Sequence, residues 1–253
     1  MKRFLLISLL GIITTLIPLT TTAQQYTSMS GLIHTPSADM CPAGEARIGV
    51  HYLNKGMLPD EYAFEGNKYN TGTAYLSITP FSWIEVGYTF TLMKGYKVDL
   101  QHPEEPRKSG FYHKDRHLSV KLRPIKEKEG KWWPSIAVGS DDPINSSGSD
   151  GSRYFRNYYA AATKHFDVKR HLIGIHVSYR RWERDSNHKW NGVVGGITYQ
   201  PSFQQNLRLI AEYTGNEVNI GFDWKLWKHL LIQSSLQDGK YFSGGLCFCI
   251  NLL

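Results

Sequence analysis

The chain has 253 residues, of which 13% are aromatic and 23 are glycine, with a mildly polar mean hydropathy of −0.37. Its formal charge is +7, and the basic residues stand singly along the sequence. A helical membrane protein is excluded, because no apolar run of ~18 residues follows Ala23; nucleic acid is excluded as a partner by the scatter of the basic residues and the export signal below, whereas an acidic polymer or anionic lipid A would suit such a charge.

The first 23 residues have the anatomy of a secretory signal peptide. Lys2 and Arg3 are basic, Phe4 to Leu19 are mostly apolar, and Thr21-Thr22-Ala23 supplies the small residues of a cleavage site. Cleavage is expected after Ala23. An uncleaved anchor is the alternative, and Ser8, Thr14 and Thr15 shorten the apolar run below the ~20 residues that a spanning helix needs. No cysteine sits at the cleavage site, so there is no lipoprotein signature.

Beyond Ala23 the hydrophobic period is two. Ala46, Ile48, Val50 and Tyr52 alternate with Arg47, Gly49 and His51. Ala74, Leu76 and Ile78 come next, followed by Ile84, Val86, Tyr88, Phe90 and Leu92. Leu118, Val120 and Leu122, then Ile136 and Val138, continue the pattern, and a tyrosine-rich run from Tyr154 to Thr163 has no assignable facing. Ile173, Ile175, Val177 and Tyr179 alternate with Gly174, His176, Ser178 and Arg180. Further strands are expected at about 190–200, 206–214, 217–225, 229–236 and 240–252, which makes about twelve and no amphipathic helix.

Connection lengths point to a membrane barrel. A long segment near Lys55 to Thr71, a tight Pro80-Phe81 turn and a very long loop from Met93 to Asp115 follow one another. Outer-membrane barrels alternate long external loops with short periplasmic turns in this way. Strands of 8–12 residues match the ~9–11 that cross a bilayer when tilted. Trp83, Trp132, Trp133, Trp182, Trp190, Trp224 and Trp227 lie near strand ends, where aromatic girdles are expected. The last strand places Leu246, Phe248, Ile250 and Leu252 on one face. The expected fold is an all-β, transmembrane, antiparallel up-and-down barrel of about twelve strands. Residues 1–23 would be the signal peptide, 24–43 a periplasmic lead-in or plug, and 44–253 the barrel. A soluble periplasmic β-barrel or sandwich that binds a ligand is the alternative.

The segments Gly31-Leu32-Ile33-His34-Thr35-Pro36-Ser37-Ala38, Lys121-Leu122-Arg123-Pro124, Pro134 to Gly139 leading into Asp141-Asp142, Tyr158 to Lys164, Ala211-Glu212-Tyr213 and Asn219-Ile220-Gly221 follow one another in this order. In these segments the chain resembles the YjbH family of exopolysaccharide biosynthesis proteins. The resemblance implies an outer-membrane barrel that serves extracellular polysaccharide production, with outer-membrane lipid around it. Acidic polysaccharide and other polysaccharide-export proteins are its implied partners.

If the apolar alternates face lipid, then Glu45, Arg47, Glu85, Lys121, Arg123, His176, Arg180, Arg208, Glu212 and Asp223 face the lumen. Two readings stand: structural ion pairs that fill the interior, or a path for an anionic glycan. Gly31, Leu32, Ile33 and Pro36 mark a segment able to fold into the barrel mouth as a plug, since Pro36 would stop it pairing as a central strand. Cys41 precedes the first strand, and Cys247 and Cys249 share a face of the last. A Cys41–Cys249 disulfide (or Cys41–Cys247) closing the seam is one reading, and three thiols the other.

No enzyme signature appears: no Gly-x-Ser-x-Gly elbow and no His-Glu-x-x-His or Gly-rich phosphate loop. The ten histidines show no pair at ligand spacing, so no metal or cofactor is read. Asp141, Asp142, Asn145, Ser147 and Asp150 resemble a calcium loop in composition but lack its spacing and closing Glu. The expected function is therefore non-enzymatic support of exopolysaccharide or capsule production or export. A barrel enzyme acting on lipid A or glycan is the alternative.

Overall fold

The computed structural model describes residues 24–97, 107–144 and 153–252. The expected signal peptide, the middle of the Met93 to Asp115 connection, Asn145, Ser147 and Asp150 of the calcium-like stretch, and Leu253 lie outside the described residues.

Twelve antiparallel strands form one closed barrel, each hydrogen-bonded to its neighbours in sequence. They are β1 (Glu45–Leu53), β2 (Thr71–Phe81), β3 (Ile84–Tyr96), β4 (Ser109–Ile125), β5 (Ser135–Asp141), β6 (Asn157–Val168), β7 (His171–Trp182), β8 (Gly192–Gln200), β9 (Leu207–Tyr213), β10 (Val218–Leu226), β11 (Leu230–Gln237) and β12 (Tyr241–Asn251). The seam closes by pairing β1 with β12, from Glu45 opposite Asn251 to Tyr52 opposite Gly244. Closure leaves no strand edge with unpaired amides, which is the condition for a sheet to sit in hydrocarbon.

Alternation decides which face meets lipid. Ile48 and Val50 of β1, Val218 and Ile220 of β10, and Leu246 and Phe248 of β12 are exposed, while Arg47, Asn219, Asp223, Cys247 and Cys249 beside them are buried. The outer wall is thus apolar and the interior polar, the pattern of a barrel in a membrane. The tyrosine-rich run resolves in β6: Tyr159, Ala161 and Thr163 point inward, and Tyr158 is exposed outward.

Three expectations need correction. The long Met93 to Asp115 loop is shorter than expected, because β3 runs on to Tyr96 and β4 begins at Ser109. The β4 extension is solvated on both faces, with Phe111, Tyr112, His113 and Lys114 all exposed, so no alternation marks it. The Pro80-Phe81 turn is displaced to Ser82 and Trp83; Pro80 lies in β2 at a register shift between Ile78 and Phe81, where its missing N–H costs no ladder bond. Trp182 and Trp190 are not girdle residues. Trp182 has inward parity on β7, Trp190 ends the 3-10 turn Asp185–Trp190 that folds back over the lumen, and each is 1% exposed. Trp83, Trp132 and Trp227 are exposed on the outside, as a girdle requires.

The chain leaves β1, β3, β5 and β7 at one end of the barrel, while connections 82–83, 126–134, 169–170 and 227–229 lie at the other. In outer-membrane barrels the end with the long loops is external and the end with the short turns is periplasmic.

Candidate functional site

The lumen is the site, and it is filled by the chain itself. Every residue from Gln24 to Cys41 is buried inside the barrel. This segment has no ladder of its own beyond isolated bridges pairing Gln24 with Ser30 and Gly31 with Pro36. Its amides and carbonyls therefore need partners, because a buried backbone group left unpaired costs about as much as a lost hydrogen bond. The charged residues of the wall supply them.

Glu212 of β9 accepts the backbone N–H groups of Ile33 (3.0 Å), His34 (2.9 Å) and Thr35 (3.0 Å), three successive amides on one carboxylate. Arg180 of β7 donates to the carbonyls of His34 (2.7 Å) and Thr214 (3.1 Å). Arg208 of β9 donates to Gly31 O (3.2 Å) and pairs with Asp223 of β10 at 3.0 Å. Glu85 of β3 accepts from Ser30 N (2.8 Å) and pairs with Lys121 of β4 at 3.2 Å, while Lys121 also donates to the carbonyls of Ser30 and Asp39, both at 2.6 Å. Arg47 of β1 reaches Glu45 (2.7 Å) and Gln24 Oε1 (2.8 Å). Ser178 donates to Pro36 O at 2.6 Å.

Small wall residues make room for the segment. Ala137 of β5 and Ala161 of β6 pack with Ala38 and Tyr159 in one buried cluster. At the external end a second cluster covers the segment. Tyr26, Leu32 and Ile33 pack there with Leu53, Met57, Tyr62, Phe155, Trp182 and Trp190. The His34 ring stands 4.9 Å from the Trp190 ring, edge to face, and 5.5 Å from Tyr26, stacked.

The expected lumen residues Arg47, Glu85, Lys121, His176, Arg180, Arg208, Glu212 and Asp223 are all buried inside. Arg123 is set apart: it is half-buried at the periplasmic mouth and donates to Ser82 O at 2.7 Å. Of the plug residues, Leu32 and Ile33 enter the external cluster, Gly31 lies where a Cβ would stand 2.7 Å from the Gln25 side chain, and Pro36 offers its carbonyl to the wall. The disulfide reading is corrected: no disulfide joins Cys41 to Cys249 or Cys247, and all three are buried thiols. Cys249 stands opposite Arg47 in the seam, and Cys41 turns instead toward Glu85, its Sγ 3.8 Å from the carboxylate.

A cavity of about 490 Å³ opens at the periplasmic mouth, lined by Asp39, Cys41, Arg123, Glu127, His165 and Arg208 among others. Asp39, His165 and His176 converge beside it, with one donor atom from each all within 4.8 Å of one another. Sequence reasoning missed Asp39, His165 and Glu127, because nothing local relates positions 39, 127, 165 and 176. Burial works to raise the Glu127 carboxyl, but hydrogen bonds from the His165 side chain and backbone, with Lys164 alongside, hold it below the usual range.

The model of the YjbH family, described as exopolysaccharide biosynthesis protein YbjH, matches residues 23–180. The chain belongs to the YjbH family. That span holds the inner segment and β1 to β6, so the Gly31 to Ala38, Lys121 to Pro124, Pro134 to Gly139 and Tyr158 to Lys164 stretches all fall within the YjbH match. Ala211 to Tyr213 and Asn219 to Gly221 lie beyond it. No curated protein sequence matches the chain. Among solved structures, outer membrane phospholipase A from Escherichia coli shares 13% identity, covering 82% of this chain and 95% of that one, at a TM-score of 0.32. The Salmonella typhi phospholipase dimer with bound calcium shares 12%, covering 82% and 89%, at 0.32. An active-site mutant of the E. coli enzyme at pH 6.1 shares 13%, covering 84% and 91%, at 0.37. At these scores they carry no argument about what this YjbH-family barrel does.

Proposed function

We propose that this chain is a non-catalytic barrel of the outer membrane that serves exopolysaccharide production with its lumen closed. It is exported by its N-terminal signal, and it acts alongside other polysaccharide-export proteins rather than as an open channel for the polymer. One observation carries the reading. The wall charges that could have lined a glycan path are consumed by the chain's own inner segment, with Glu85, Lys121, Arg180, Arg208 and Glu212 all bonded to its backbone. A filled lumen of this kind suits a scaffold whose external loops, or whose periplasmic mouth, meet partners and acidic polysaccharide.

Deletion of the gene tests the role. Loss of exopolysaccharide with unchanged lipid A and phospholipid supports the proposal, and altered lipid chemistry with normal exopolysaccharide overturns it in favour of an enzyme. Planar-bilayer recording tests the closed lumen: the full chain is expected to show no steady conductance, and a variant lacking residues 24–41 to conduct.

A further inference from the structure

The structure assigns Asp39, His165 and His176 as a three-ligand site for a zinc-like divalent metal ion at the periplasmic end of the lumen. It forms where the inner segment meets β6 and β7. Nothing in a scaffold reading requires such a site.

The geometry approaches that of a zinc site before any metal is placed. Zinc bound at ~2.0–2.1 Å in a tetrahedron holds its donor atoms about 3.4 Å apart. Here Asp39 Oδ1 is 3.5 Å from His165 Nε2, and Asp39 Oδ2 is 3.9 Å from His176 Nδ1. One donor atom from each residue lies within 4.8 Å of the other two, so rotation of the three side chains closes the set onto an ion.

The outer partners of the two imidazoles strengthen the assignment. Metal-binding histidines give their other ring N–H to a carboxylate, a carbonyl or a similar acceptor, which fixes the tautomer and aims the lone pair at the ion. His165 presents Nδ1 to the Glu127 carboxylate, leaving Nε2 toward Asp39. His176 presents Nε2 to Thr198 Oγ1 at 3.0 Å, leaving Nδ1 toward Asp39. Both rings are thus turned with their remaining nitrogens on the same carboxylate. Thr163 Oγ1, 3.1 Å from His176 Nδ1, is the contact that an ion would replace.

Asp39 supplies the independent observation. Its side chain is 8% exposed, and its Oδ2 receives no hydrogen bond. Arg208 lies 3.5 Å from that oxygen, but Asp223 pairs with the same guanidinium at 3.0 Å and offsets its charge. A buried carboxylate with one oxygen lacking a hydrogen bond, and with an imidazole nitrogen beside each of its two oxygens, is a metal ligand set by its chemistry. The fourth position faces the cavity at the periplasmic mouth, so the ion can enter from the periplasm and keep water or a small ligand. Bound there, it would tie the inner segment at Asp39 to two wall strands.

The test uses the untagged full-length barrel, refolded in detergent, stripped with a chelator and titrated with zinc chloride alone. Calorimetry is expected to show one zinc per chain, and cobalt substitution the visible bands of a tetrahedral N/O site. His165→Gln is expected to abolish the cobalt spectrum, and Glu127→Gln to weaken zinc binding by about 10–100-fold. Heat-modifiable gel mobility confirms that each variant has folded, and the wild-type titration stands even if neither does. Zinc uptake equal in wild type and His165→Gln, or none in a folded wild-type barrel, overturns the assignment.

Discussion

Glu85 and Lys121 stand directly opposite one another on β3 and β4, with 3.2 Å between carboxylate and ammonium and no exposure of either side chain. Ser30 of the inner segment touches both, donating to Glu85 and offering its carbonyl to Lys121. Removing one partner strands the other charge in a water-poor interior, which costs about 3–5 kcal/mol. Glu85→Ala and Lys121→Ala are each expected to destabilise the barrel by that amount in urea unfolding from detergent or vesicles. The double variant should cost less than the two singles together, since residues in contact do not add. Single variants within about 1 kcal/mol of wild type would show that the pair is not held as described.

Glu212 anchors the inner segment differently, by gathering three consecutive amides. Glu212→Gln keeps the size but not the charge, and leaves an amide NH₂ among donors. Hydrogen bonds to a charged acceptor contribute about 1.5–3 kcal/mol each at most, so partial release of the segment is expected rather than unfolding. Hydrogen exchange should accelerate at residues 33–35 and leave the β9–β10 ladder protected. Unchanged protection at those amides would remove Glu212 as the anchor.

The wall strands were legible in the sequence wherever one face meets lipid. Val218, Ile220 and Trp224 against Asn219 and Asp223 locate β10 to within a residue, because burial on one side forces a period of two. Legibility failed where that contrast vanishes. The start of β4 is wetted on both faces, and the alanines of β6 pack on either side of the wall. Trp182 and Trp190 looked like girdle residues, since aromatic type does not reveal whether a strand-end ring turns out to lipid or in over the lumen. Inward-facing charges could be read from parity, yet their partners could not. Whether Arg180 meets a glycan or His34 O depends on a segment almost 150 positions away in the chain (146 for that pair).

The seam between β1 and β12 predicts a steric outcome. Gly49 faces Tyr75 on β2 and Cys247 on β12, and a Cβ there would stand 2.2 Å from the Tyr75 ring. The ring lies over the glycine and fills the lumen wall beside Leu231 and the two β12 thiols. Gly49→Ala is expected to displace Tyr75 and cost about 1–3 kcal/mol by overpacking. Gly66→Ala in the external loop has open space and serves as the control for sterics, though its positive φ of 75° carries a smaller backbone strain. Equal stability of Gly49→Ala and wild type would mean that the ring is free to move.

The three cysteines give a chemical check on the same seam. Cys41, Cys247 and Cys249 are buried thiols in this structure. Folded barrel is expected to resist alkylation, and barrel unfolded without reductant to gain three adducts by intact mass. A single adduct without reductant, rising to three with it, would reinstate the Cys41 bridge across the seam.

The external loops are clamped by charge, and the clamp has a sign in pH. Asp60, in the 3-10 turn Asp60–Tyr62, meets Lys68 at 2.8 Å and Lys189 at 2.9 Å, joining connection 54–70 to connection 183–191. Slight burial would raise the Asp60 carboxyl, but hydrogen bonds from Lys68 and Lys189 outweigh it and lower it. A group depressed on folding contributes its stabilisation above its unfolded value, about 3.9, and loses it as pH falls through the lower folded value. The clamp is therefore expected to be intact from neutral pH down to about 4 and to loosen only below that. Because Asp60 and both lysines are partly exposed, salt should weaken the clamp as well. Hydrogen exchange at residues 60–62 and 185–190, stepped in pH, reads the transition. Asp60→Asn should remove the step and leave these amides exchanging at one intrinsic-rate-corrected level throughout. A step that persists in Asp60→Asn would assign the loosening to another carboxylate, Glu61 being the nearest alternative through its 3.8 Å contact with Arg184.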